Sequence, residues 1–102
     1  MDTVITLIGE GTRTQDSRGV WHLTETRRDV YARVTSVTQT EFFEAGRNGL
    51  NPDYEMTMFR WDYNGEKTVE FNGLRYGVYR NYIDENSDEI ELYVQRKGGT
   101  ND

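Results

Sequence analysis

His22 is the only histidine of a 102-residue chain that contains no cysteine. Catalysis near neutral pH most often recruits one of these two side chains, so the inventory for chemistry is short. A Ser-His-Asp arrangement would have to pair His22 with Ser17, Ser36 or Ser87, and none of these sits in a nucleophile elbow. A transition-metal site would have to be built almost from carboxylates alone. Next to Trp21, His22 reads instead as a packing or interface residue. The acidic run Asp84, Asp88, Glu89 and Glu91 lacks the glycine that a calcium loop needs at its sharp turn. A pair of glycosidase carboxylates would need a cleft that so small a domain hardly offers. The run therefore reads as a solvated hairpin tip, or as a negative patch facing a basic neighbour or sliding DNA. Gly46-Arg47-Asn48-Gly49 lacks the lysine and the strand-to-helix order of a phosphate loop. No catalytic residue, metal ligand or cofactor site is predicted, and the chain does not read as an enzyme.

The elements that position these residues are β-rich. A chain of this length fits one domain. Only 34% of it is apolar, yet 13% is aromatic, with seven Tyr, four Phe and two Trp. Mean hydropathy is −0.88. Such a chain folds, with flat side chains filling a thin core. A net charge of −6 argues against recognition through phosphates. The positive charges are nearly all arginine, which suits bidentate pairing with carboxylates. Without cysteine, the domain is expected to fold in a reducing cytoplasm. The apolar start Val4–Ile8 is too short to span a bilayer and follows Asp2 rather than a basic flank, so a soluble, non-exported protein is expected.

Strands are predicted over residues 3–8, 30–37, 54–61, 68–71 and 74–83, with a last strand on which Ile90, Leu92 and Val94 face inward and Glu89, Glu91 and Tyr93 outward. A polar loop, Thr14–Gly19, leads into Val20-Trp21. Asn72-Gly73 specifies a tight hairpin, and Gly77 a bulge. Thr38-Gln39-Thr40-Glu41 has the form of a capping box, followed by Phe42, Phe43 and Ala45 and a stop at Gly46–Gly49. One short helix of two or three turns is therefore expected between the second and third strands, with a loose stretch to Pro52 behind it. Adjacent Phe42 and Phe43 cannot share one stripe of a helix, so one is assigned to the core and the other to a partner or the barrel mouth. The predicted fold is all-β: a small six-stranded antiparallel barrel or sandwich with one short helix. One domain spans 1–96, with helix and loop at 38–53 and a flexible tail at 97–102.

Taken in order, these segments resemble the head–tail adaptor family of tailed bacteriophages that includes head-closure, or stopper, proteins. The similarity runs through nearly the whole chain. It is carried by Asp16-Ser17-Arg18-Gly19, Val30-Tyr31-Ala32-Arg33-Val34, Glu41-Phe42-Phe43-Glu44-Ala45, Arg60-Trp61, Phe71-Asn72-Gly73-Leu74-Arg75-Tyr76 and Ile90-Glu91-Leu92-Tyr93. The resemblance implies a structural subunit, assembled in the host cytoplasm, of a ring in the virion neck that closes the DNA channel after packaging. Its implied partners are an adaptor above, a tail or tail-completion protein below, copies of itself, and DNA passing without sequence-specific binding; no membrane is implied. It further implies a channel gate at Arg47, Asn48, Gly49, Leu50 and Asn51, with a Gly49→Pro change expected to spare the fold and impair DNA retention. Partner contacts are assigned to Trp21, His22, Phe42 and Phe43. The chain departs from the family at acidic Asp2, where relatives often begin with basic residues. Three other readings stay open: a tail-completion or other neck protein, an oligonucleotide- or oligosaccharide-binding barrel that would stack bases on Tyr63, Tyr79 and Tyr82, and a small hydrolase.

Overall fold

The computed structural model describes residues 2–11 and 13–97. Its strands are β1 (Asp2–Gly9), β2 (Arg13–Gln15), β3 (Trp21–Leu23), β4 (Thr26–Ser36), β5 (Tyr54–Phe59), β6 (Thr68–Phe71), β7 (Leu74–Ile83) and β8 (Glu89–Arg96). The helix α1 (Gln39–Gly46) joins β4 to β5, and a 3₁₀ turn, Arg60–Asp62, follows β5. Six strands close an antiparallel barrel in the order β1-β4-β5-β8-β7-β6, with β6 pairing back onto β1. The expected all-β barrel with one helix is what forms.

Alternation drives the barrel. Ile5 and Leu7 on β1, Val30 and Ala32 on β4, Met56 and Met58 on β5, and Ile90, Leu92 and Val94 on β8 all point into one core. Aromatic rings close the interior toward one end, where Tyr54 stands edge-on to Phe71 and Tyr76 with ring centres 5.5 and 5.6 Å away. Among the described residues no buried side-chain nitrogen or oxygen lacks a hydrogen-bond partner.

Four local differences from the sequence reading have identifiable causes. β4 begins at Thr26, four residues before the predicted Val30; Arg27 and Arg28 give no apolar signal, but all eight residues of β1 pair with it. β5 ends at Phe59 rather than Trp61, because Arg60–Asp62 turns the chain across the barrel. The expected polar loop Thr14–Gly19 gives up Thr14 and Gln15 to β2, and its remainder is the turn of a separate hairpin, β2–β3. The β7 bulge lies between Val78 and Arg80 rather than at Gly77, with Tyr79 the extra residue. The bulge turns Tyr79 and Arg80 to the same outer side, which simple alternation forbids. Asn72 and Gly73 carry φ of 54° and 77° and make the predicted tight turn. Of the expected tail, only Lys97 lies within the described residues; its N–H donates to the Arg75 carbonyl at 3.1 Å.

Leu92 is wholly buried at the centre of this core. Leu92→Ala is expected to lower unfolding free energy by about 2–5 kcal/mol, measured by urea titration with unchanged slope.

Candidate functional site

The residues assigned to a gate follow α1 directly. Thr38 caps the helix, its hydroxyl accepting the Glu41 N–H at 3.1 Å. The far end closes with a Schellman pair: Leu50 N–H to Ala45 O and Gly49 N–H to Gly46 O, both 3.1 Å. Asn48 reaches back to the Glu44 carbonyl, and the Asn51 N–H donates to the Gln95 side chain at 2.9 Å. Beyond a buried Pro52, Asp53 N–H donates to Val94 O and the Asp53 carboxylate accepts the Arg96 N–H. The segment is thus anchored at both ends rather than loose. Gly49 sits at φ 77°, which proline cannot adopt, so Gly49→Pro would break the helix end instead of sparing the fold.

Neither Phe42 nor Phe43 enters the core: they are 45% and 58% exposed, and their rings meet edge-on at 6.0 Å. The helix seats itself through Ala45 and Glu41, one turn apart. Glu41 does not complete a capping box. Its carboxylate leaves the helix to accept from the Tyr79 hydroxyl at 2.8 Å and from Arg80, the two residues that the bulge aims at it. Arg80 in turn lies over the Tyr93 ring, 4.0 Å from its centre. Tyr93, expected to face outward, does so but is buried beneath this layer. Burial and the hydrogen bond to Glu41 push the Tyr79 phenol far above its usual range.

Trp21 and His22 lie elsewhere, on the β2–β3 arm, and the four assigned interface residues do not form one site. The arm is ordered from within. Asp16 accepts from the Arg18 and Val20 N–H groups and contacts His22 Nε2 at 2.9 Å; these bonds hold its carboxyl below the usual range, the His22 bond most. On the arm Val20, Trp21 and Leu23 are 51–64% exposed. The arm leaves the barrel through a pinch at Gly11, where any Cβ would sit 0.7 Å from the Thr24 carbonyl oxygen.

A second exposed apolar surface, with no single motif to announce it, crosses the outer barrel wall. Val4 pairs with Tyr31 across β1 and β4, and Phe59 stacks on Trp61 at 4.8 Å. Tyr31 and Phe59 together line a shallow groove of about 240 Å³ with Asp2, Arg33, Asp62 and Glu89 at its margins. These four apolar side chains are 49–70% exposed. Of the acidic patch, Asp84, Asp88 and Glu89 stand exposed at the β7–β8 tip. Glu91 is half-buried one pleat further along, accepting from the Tyr93 hydroxyl at 2.6 Å. The stacking platform fails: Tyr82 is exposed, but Tyr63 packs against the core and donates to Glu66 O, and Tyr79 is held by Glu41.

An open cleft of about 720 Å³ lies where the arm meets the barrel and is lined by Leu23, Glu25, Arg28, Glu66 and Lys97 among others. Two of its carboxylates are already engaged. Arg75 grips Glu25 with two 3.0 Å bonds, and Arg28 holds Glu66 at 2.7 Å. Among the described residues Arg27, Arg28, Arg47, Arg75 and Arg80 pair with glutamates of the same chain. Among the described residues no group of three or more His, Cys, Asp or Glu side chains could hold a metal, and no helix is long and apolar enough to cross a membrane.

No protein-family model matches this sequence, and no curated protein matches it.

Glu41→Ala is expected to loosen α1 while leaving the barrel intact. Amides of residues 43–50 should exchange about tenfold faster by hydrogen-exchange mass spectrometry, with β8 unchanged. Burial raises the Glu66 carboxyl, but Arg28 and backbone N–H groups outweigh it and hold the group below its ordinary 4.5. A lowered folded value contributes stability that is complete above the unfolded value and lost as pH falls through the folded one. Glu66→Gln should therefore cost about 1–3 kcal/mol at pH 7. In urea titrations its deficit against the parent should shrink below about pH 4.5.

Proposed function

We propose that this protein is a structural subunit of a tailed-bacteriophage neck, forming a ring that closes the DNA channel after packaging and joins head to tail. The observation that carries the assembly part of this reading is the β2–β3 arm. A hairpin of three residues a side is marginal in water, and this one holds Val20, Trp21 and Leu23 out to solvent. Such a piece gains its stability when another surface covers it. The neck assignment itself rests on the ordered resemblance of residues 16–93 to head-closure proteins. The acidic tip and the net charge of −6 suit a wall past which DNA slides without sticking. In this reading the 47–51 segment approaches the channel on an anchored helix. Gating then proceeds by moving α1 as a unit about its Glu41 tether rather than by rearranging a loose loop.

Deletion of the gene from its phage, viewed by electron microscopy, is expected to leave empty or leaking heads beside finished free tails. Added purified protein should restore joined particles. Full heads lacking only normal tails would move the protein down the neck to tail completion, and normal virions would refute the neck role.

A further inference from the structure

The geometry points to a head-to-tail contact in which the arm of one copy seats its Trp21–Leu23 face on the Val4–Tyr31–Phe59–Trp61 face of a second copy. This rests on the reading of the chain as an assembly subunit and names the surfaces that such a subunit would use. In the β2–β3 ladder, Arg13 opposes Leu23 and Gln15 opposes Trp21, so Trp21, Leu23 and Arg13 share one face. Arg13 also lies over the Trp21 ring at 5.8 Å. The arm thus offers two large apolar side chains edged by a cation. The barrel wall offers the complement: three aromatic rings and a valine, with Asp2, Asp62 and Glu89 outnumbering Arg33, beside the groove that Tyr31 and Phe59 line, and Arg60, which lies 4.9 Å over the Trp61 ring. Among the described residues no other strand pairs with the arm and no strand edge of the barrel is free to receive it, since the six-stranded ladder closes on itself. The contact must therefore be made by side chains, face to face. Made once between each pair of copies, rather than reciprocally, the contact is heterologous. Repeated from copy to copy, such a contact generates a ring when its rotation closes and a filament when it does not.

The natural absence of cysteine allows a direct test with single-cysteine variants, in which a bond can only join two copies. Leu23→Cys protein and affinity-tagged Phe59→Cys protein, both altered at exposed positions, are mixed at high concentration and oxidised. The expected result is a heterodimer at least tenfold more abundant than that from Leu23→Cys mixed with Phe43→Cys, whose cysteine replaces an equally exposed ring on α1. Adding Arg13→Glu to the Leu23→Cys chain should lower the yield at least threefold. Equal yields from the two pairings, a preference for Phe43→Cys, or no crosslink at all would overturn the contact. The result is separable from the neck role. Crosslinking together with normal virions after gene deletion would keep the contact and remove the neck. Head closure without crosslinking would place the contact between copies elsewhere.

Discussion

β5 and β6 are consecutive in the sequence but lie on opposite sides of the barrel, so residues 60–67 have to cross over its end. A crossing segment cannot pair as a strand, and its polar groups need partners of another kind. Glu66 supplies several of them. Its carboxylate takes two bonds from Arg28 of β4 and one from the Asn64 N–H, while its carbonyl accepts from the Tyr63 hydroxyl. Arg28 also donates to the Asp62 carbonyl, so one guanidinium ties both ends of the crossing to the wall. With the crossing held, Tyr63 packs against the core, and β6 arrives in register to pair with both β1 and β7. Closure of the barrel depends on this tether, and the remaining surface features depend on closure.

A closed barrel leaves no strand edge for augmentation by a partner, so contacts with other molecules fall to whatever stands outside the wall. Three such features stand there: the arm between β1 and β4, the helix between β4 and β5, and the aromatic band on β1, β4 and β5. Each is set by a different local device. The arm exits where Gly11 lets two backbones touch, and Asp16 organises its turn. The helix is held by a carboxylate that the β7 bulge supplies with two donors. The aromatic band needs no device beyond register, since pairing Val4 with Tyr31 and turning the chain after Phe59 suffice to gather it. The result is a small domain with a filled interior and several large apolar side chains left on its outer parts.

Much of this was legible in the chain itself. Period-two alternation located the barrel strands, because a half-buried strand must alternate to separate core from solvent. Asn72-Gly73 and Thr38 marked a turn and a helix start through chemistry that acts within a few residues. Of the acidic run, Asp84, Asp88 and Glu89 share one exposed tip, whereas Glu91 is half-buried. The arm, by contrast, was read as a loop because Arg13–Gln15 has no apolar residue to show a period.

What the sequence by itself determined is the set of local preferences: which residues extend, which turn, where the helix is capped, and that catalytic side chains are scarce. Only the tertiary structure decided which distant residues meet. Glu41 had the spacing of a capping-box residue, yet Tyr79 and Arg80 claim it, because a bulge 38 residues away turns both donors outward. Tyr31 and Phe59 lie 28 positions apart, and Arg28 and Glu66 38; they become neighbours only through barrel order and the crossing over its end. Local chemistry is written in adjacent residues, whereas such pairings depend on register and closure, which belong to the whole ladder of hydrogen bonds and to no single segment of it.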